Sequence, residues 1–167
     1  MDDGVPSGLW LDESRQVAQW IERDGSVDAL ELTVGSSLLN PMYLFRGDAP
    51  IREFAATFRQ PMRLGGNLVG DRFIHAYPYR EAYLLDSACQ FRVALGMPLI
   101  LLGGVSQRAT MDLAMAEGFR FVAMARAPLR EPDLINRIRC EPATRSLCTH
   151  CNKCMPTIFS GTRCVLA

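Results

Sequence analysis

Histidine is scarce in this sequence, charge of either sign is not in excess, and long apolar runs are missing. Histidine occurs twice in 167 residues, as His75 and His150, so imidazole chemistry has two positions at most. No Ser-His-Asp arrangement, P-loop or convincing GxGxxG fingerprint is present, which removes familiar hydrolase, nucleotide and dinucleotide signatures. Eighteen basic side chains balance eighteen acidic ones. A nucleic-acid surface needs a basic excess to neutralise phosphates, so that class of partner is excluded. No apolar run reaches half of the ~20 residues that a membrane span takes. The chain opens acidic, with Asp2 and Asp3, unlike the basic end of an export signal. The expectation is a cytoplasmic protein that binds neither nucleic acid nor membrane.

Apolar residues make up 49% of the chain, enough for one modest core and too little for two domains. Six cysteines are spread unevenly. Cys89 and Cys140 stand alone, while Cys148, Cys151, Cys154 and Cys164 crowd the end of the sequence. In a reducing compartment such crowding favours metal binding or redox chemistry over structural disulfides.

The apolar period alternates between helical and strand-like along the chain. Asp12 is placed to cap a helix in which Val17, Trp20 and Ile21 share a face, and which Asp24 and Gly25 end. Residues 27–34 (VDALELTV) read as a strand, with Gly35, Ser36 and Ser37 after it. Over 38–78 the pattern breaks up. Ile51, Phe54, Ala55 and Phe58 keep helical spacing there, while Pro41, Pro50, Pro61, Gly65 and Gly66 interrupt the rest.

A longer helix is predicted over 79–95, with Leu84, Leu85, Ala88, Phe91 and Leu95 inward and Gly96 as its stop. Residues 98–102 (PLILL) form a continuous apolar strand of the kind buried on both faces. Gly103, Gly104 and Val105 follow, and Ser106 is placed to cap a helix that ends at Gly118. Residues 119–124 (FRFVAM) give a third strand, and Pro132 suits the first turn of a last helix to about Arg139. Strands alternating with helices imply parallel pairing. The chain divides into an α/β part, 1–139, and a cysteine-rich tail, 140–167.

Three motifs carry chemistry. The first is the turn at Gly103 and Gly104: glycine holds no Cβ in the way of an anion, and the backbone N–H groups beyond a strand can face a phosphate. The plain alternative is a tight strand-to-helix turn. The second is Ala125-Arg126 at the end of the third strand, where a guanidinium can make a forked contact to phosphate; the alternative is a surface arginine in an ion pair. The third is Cys148, Cys151, Cys154 and Cys164, whose C-x2-C-x2-C opening suits an iron–sulfur cluster or zinc. His150 is a fifth candidate ligand, and buried reduced thiols are the alternative. Tyr43, Tyr77, Tyr79 and Tyr83 can touch a substrate, with packing as their default role.

Taken together, Gly103-Gly104-Val105, Gly118-Phe119, Arg126-Ala127, Arg130-Glu131-Pro132-Asp133-Leu134 and the tail from Cys148 to Cys154 resemble the NADH:flavin oxidoreductase family. That family includes the old yellow enzymes and the 2,4-dienoyl-CoA reductases, and the tail is similar to the latter branch. The resemblance implies the C-terminal half of a TIM (β/α)8 barrel, parallel strands 6 to 8 with their helices, plus the cysteine-rich tail. A whole barrel takes about 250 residues, so strands 1 to 5 are expected outside this chain.

The resemblance further implies an FMN-dependent oxidoreductase, in which hydride passes from NADH or NADPH to FMN and on to an electron-poor alkene. Gly103, Gly104, Ala125 and Arg126 would hold the FMN phosphate. Cys148, Cys151, Cys154 and Cys164 would stand at the positions of the [4Fe–4S] ligands. The family usually has glycine where this chain has Ala125, and its cysteine spacing differs. No catalytic residue is assignable, because the flavin-ring and substrate contacts belong to the other half. The implied partners are a small-molecule substrate and either a second copy of the chain or a separately encoded N-terminal half. Two other readings stay open: a non-catalytic metal or iron–sulfur module, and an inactive fragment.

Overall fold

The computed structural model describes residues 1–36, 39–72 and 74–167. Ser37, the last of the turn residues expected after the first strand, lies outside them. Helix α1 (Leu11–Asp24) leads into strand β1 (Leu30–Leu32), then two short helices, α2 (Ile51–Ala56) and α3 (Met62–Val69). Helix α4 (Leu85–Ala94), strand β2 (Leu99–Leu101), helix α5 (Arg108–Ala116) and strand β3 (Phe121–Val122) follow. Helices α6 (Arg126–Arg130) and α7 (Leu134–Cys140) precede a tail whose regular part is a 3-10 turn, Met155–Ser160.

The strands form one parallel sheet in the order β1-β2-β3. Leu30 pairs with Leu99 and Leu32 with Leu101, while Ile100 pairs with Phe121 and Leu101 with Val122. Side chains alternate across a strand, so Leu32, Leu99 and Leu101 share one face. They meet Ala18 of α1, Ala88 and Phe91 of α4 and Ala114 of α5 in the main core. The helix predicted over 79–95 forms only from Leu85 to Ala94; of its expected inward residues Leu84, Ala88, Phe91 and Leu95 are buried and Leu85 is half-buried. The opposite face carries Glu31, Ile100 and Phe121, and Phe121 is 56% exposed. Burial of the 98–102 run on both faces is therefore not what forms: Leu99 and Leu101 are buried, while Ile100 is only half-buried.

The expected half-barrel is corrected by this sheet. Strands 6 to 8 of a TIM (β/α)8 barrel would be long, tilted and built to close on further strands. Here the strands are two or three residues long in an open, three-stranded sheet, and the chain is a small α/β domain. Pro98, with no N–H to donate, precedes β2, and Gly103, at φ +99°, follows soon after it, so the stretch free to pair is short.

Smaller differences have local causes. Trp10, not Asp12, precedes the first helix, and its N–H donates to Glu13 (2.8 Å). The face shared by Val17, Trp20 and Ile21 points largely to solvent, because Ser14 and Ala18 make the inward contacts. Gly65 and Gly66 sit inside α3 rather than ending a helix. Gln107, not Ser106, precedes α5, and α7 begins at Leu134 after Asp133, which leaves Pro132 before the helix rather than in its first turn. The tail is bonded to the rest of the chain: Ser146 and Leu147 donate to Glu131, and Asp48 donates to the carbonyl of His150 (3.1 Å). Among the described residues no helix is long and apolar enough to cross a membrane.

Candidate functional site

The C-terminal ends of β2 and β3 open on one cavity of about 260 Å³. Gly103 and Gly104 line it from the end of β2, Ala125 and Arg126 from the end of β3, and Tyr79, Tyr83 and His150 close its side. All four residues expected at the phosphate therefore stand around a single space. Among the described residues, the N–H groups of Gly103, Gly104, Ala125 and Arg126 reach no protein acceptor. Orphaned donors around a cavity suit an anion.

The glycines are required by the protein itself. Gly103 and Gly104 have φ of +99° and +77°, a region that side chains disfavour. A Cβ on Gly104 would stand 2.7 Å from the Arg80 carbonyl oxygen and 2.8 Å from the Ala82 nitrogen. Glycine here admits the 80–82 segment, whose Ala82 N–H donates to the Gly104 carbonyl (2.8 Å). The tight strand-to-helix turn, the alternative read from the sequence, by itself calls for glycine at both positions.

Arg126 is half-buried and held from behind. One of its terminal nitrogens donates to the Arg46 carbonyl (2.8 Å) and to the side-chain oxygen of Asn152. Among the described residues it makes no ion pair, so its positive charge is not neutralised by a carboxylate. Asn152 is 1% exposed and donates to the carbonyls of Phe45 (2.7 Å) and Asp48 (2.8 Å). Its φ of +55° is one that asparagine tolerates.

Glu81 and Arg46, which the sequence did not single out, tie together aromatic and hydroxyl side chains that it did. Glu81 accepts hydrogen bonds from the hydroxyls of Tyr79 (2.6 Å), Ser106 and Thr110. The Arg46 guanidinium lies over the rings of Tyr83 (5.2 Å) and Tyr43 (5.6 Å), within reach of cation–π attraction. His150 stacks on Tyr79, 3.3 Å between ring centres and 11° from parallel. Burial, with Arg126 nearby, pushes its imidazole down to about 4, so it is neutral at physiological pH. Tyr43 and Tyr77 meet edge to face (5.4 Å) away from the cavity wall. His75 is exposed and is not part of the wall.

The four clustered cysteines line a second, smaller cavity of about 20 Å³ together with Arg126 and Arg130. Each is half-buried and reduced. Burial raises the Cys154 thiol above its ordinary range, against the opposing pull of Arg126. The Cys148 sulfur lies 3.8 Å from Nδ1 of His150. Among the described residues, however, no three Cys, His, Asp or Glu side chains are gathered closely enough to hold a metal ion. As arranged, Cys148, Cys151, Cys154 and Cys164 do not fit zinc or a cluster.

The sequence is 54% identical over 166 residues to the 4,4'-dithiodibutanoate disulfide reductase of Rhodococcus erythropolis. The match takes in 99% of this chain and 41% of that enzyme, so the chain spans about two-fifths of the relative's length. No family model matches the sequence. No solved structure matches it.

Proposed function

We propose that this chain is the phosphate-holding part of an FMN-dependent oxidoreductase of the old yellow enzyme kind. The observation that carries the reading is the convergence of Gly103, Gly104, Ala125 and Arg126 on one cavity, with unused N–H groups and an unneutralised cation. The donor set fits a phosphate monoester. The backbone groups would bind its oxygens, and the Arg126 guanidinium would supply charge and a fork. The Tyr79–His150 stack gives a flat, uncharged wall beside it.

A cavity of about 260 Å³ falls just short of the ~300–1,000 Å³ usual for a whole ligand. It suits the phosphate end of FMN, with the ring contacts supplied by a second copy or another chain. Bound there, FMN would take hydride from NADH or NADPH and deliver it to an oxidised substrate. The Rhodococcus relative supports a disulfide in that role; the old yellow enzyme resemblance supports an electron-poor alkene. A disulfide would leave as two thiols, taking two electrons and one proton as hydride and a second proton from solvent.

Titration of the purified chain with FMN, followed by flavin fluorescence, tests the reading. Saturable binding supports it; flavin that stays free at all protein concentrations overturns it. NADH and NADPH oxidation with 4,4'-dithiodibutanoate and with a conjugated enone then separates the substrates. A second reading, a non-catalytic metal or iron–sulfur module, is favoured by one observation, the four cysteines around one cavity. Their thiols would have to draw closer. Iron, zinc and sulfide analysis of protein prepared without oxygen distinguishes it.

A further inference from the structure

We infer that Glu81, which does not line the cavity, is the positioning residue that sets the shape of the glycine turn. This rests on the flavin-phosphate reading above. One carboxylate oxygen of Glu81 accepts from the Tyr79 hydroxyl (2.6 Å) and the Ser106 hydroxyl. The other accepts from the Thr110 hydroxyl (2.5 Å) and the Ser106 N–H (3.4 Å). Four donors fill the roughly four lone-pair sites of a carboxylate. They come from three places: the cavity wall, the end of the turn and the first part of α5.

The arrangement has two effects at the cavity. Ser106 lies just past the glycines and lines the space, yet its single hydroxyl proton is given to Glu81. It has none to offer an anion, so the seat is left to backbone N–H groups and Arg126. Tyr79 is fixed through its hydroxyl, which fixes the ring against which His150 stacks. The same carboxylate therefore orients the turn and the Tyr79 part of the wall.

Glutamine at this position keeps one accepting oxygen and replaces the other with an amide nitrogen that donates. With that oxygen turned to the Ser106 N–H, the amide nitrogen faces the Tyr79 and Ser106 hydroxyls, which must accept where they now donate, so the charge-assisted ties on the turn and on Tyr79 are lost. In the full chain, Glu81→Gln is expected to raise the dissociation constant for FMN about tenfold, as losing one charged hydrogen bond does. Amide hydrogen exchange at Ser106, whose N–H Glu81 accepts, should quicken, with the core of α4 unchanged.

Glu22→Gln is the control. Glu22 accepts from the N–H groups of Gly96 (2.8 Å) and Met97 (2.6 Å), a comparable tie at the other end of β2, and its loss should leave FMN affinity as it was. Equal affinity in Glu81→Gln and the unaltered chain overturns this inference and spares the flavin reading. Equal weakening in both variants overturns it as well, since general loosening would explain it. If the unaltered chain takes up no FMN, the flavin reading falls and this inference with it. Should Glu81→Gln not fold, Ser106→Ala removes the hydroxyl part of the link, and an affinity within about twofold of the parent's overturns the inference.

Discussion

The side-chain oxygen of Asn152 accepts a hydrogen bond from Arg126, which joins a residue between two cysteines of the tail to the cation of the glycine-turn cavity. Asn152 also bonds two carbonyls of the 45–48 segment. Asn152→Ala would strand buried acceptors and leave the guanidinium held by the Arg46 carbonyl alone. A loss of about 2–3 kcal/mol in urea unfolding is expected; an unchanged midpoint would show that the tail is held by other contacts.

Arg126→Ala should weaken FMN binding by about 10- to 100-fold, the range for a charged hydrogen bond. Arg126→Lys should recover only part of it, because an ammonium keeps the charge without the fork. Fluorescence titration of the three proteins checks both statements, and identical affinities would remove Arg126 from the site.

Gly104→Ala should destabilise the chain by about 2 kcal/mol or more, combining a φ of +77° with contact against the Arg80 carbonyl. The cost is expected without ligand present, since the obstruction is the protein's own backbone. A thermal melt equal to the parent's would show that the 80–82 segment moves aside freely.

Acid should loosen the start of the tail. Burial works to raise the Glu131 carboxyl, but the Leu147 N–H, the Ser146 hydroxyl and Arg137 together outweigh it and hold it below its ordinary value of 4.5. A carboxylate depressed by folding stabilises above that value, and its contribution fades as pH falls through the folded-state value. Limited proteolysis of residues 140–147 should quicken below about pH 4.5 and be nearly independent of pH in Glu131→Gln. Cleavage with the same acid dependence in that variant would exclude Glu131 as the latch.

Local signals in the sequence were sufficient for the elements around the site. The run ending at Leu102 and the glycine pair after it are continuous in sequence, and the arginine follows the next strand one helix later, so parallel pairing of successive strands brings their ends to one cavity. Longer-range features were not legible. Closure into a barrel depends on pairing between distant strands, and periodicity carries no information about it. Glu81 meets Ser106 across 25 residues and Asn152 meets Phe45 across 107, so nothing next to either residue announces its partner. Helix α3 was masked by Gly65 and Gly66, which read as interruptions although Met62, Leu64 and Leu68 surround them. The cysteine spacing was plain, while the separation of the thiols was not.

Arg126 borders both cavities, and this has a thermodynamic corollary. An anion that draws on the guanidinium must either tighten or slacken its hold on Asn152. By reciprocity, every factor by which the anion alters docking of the cysteine-bearing segment is returned in full as a change in the anion's own affinity.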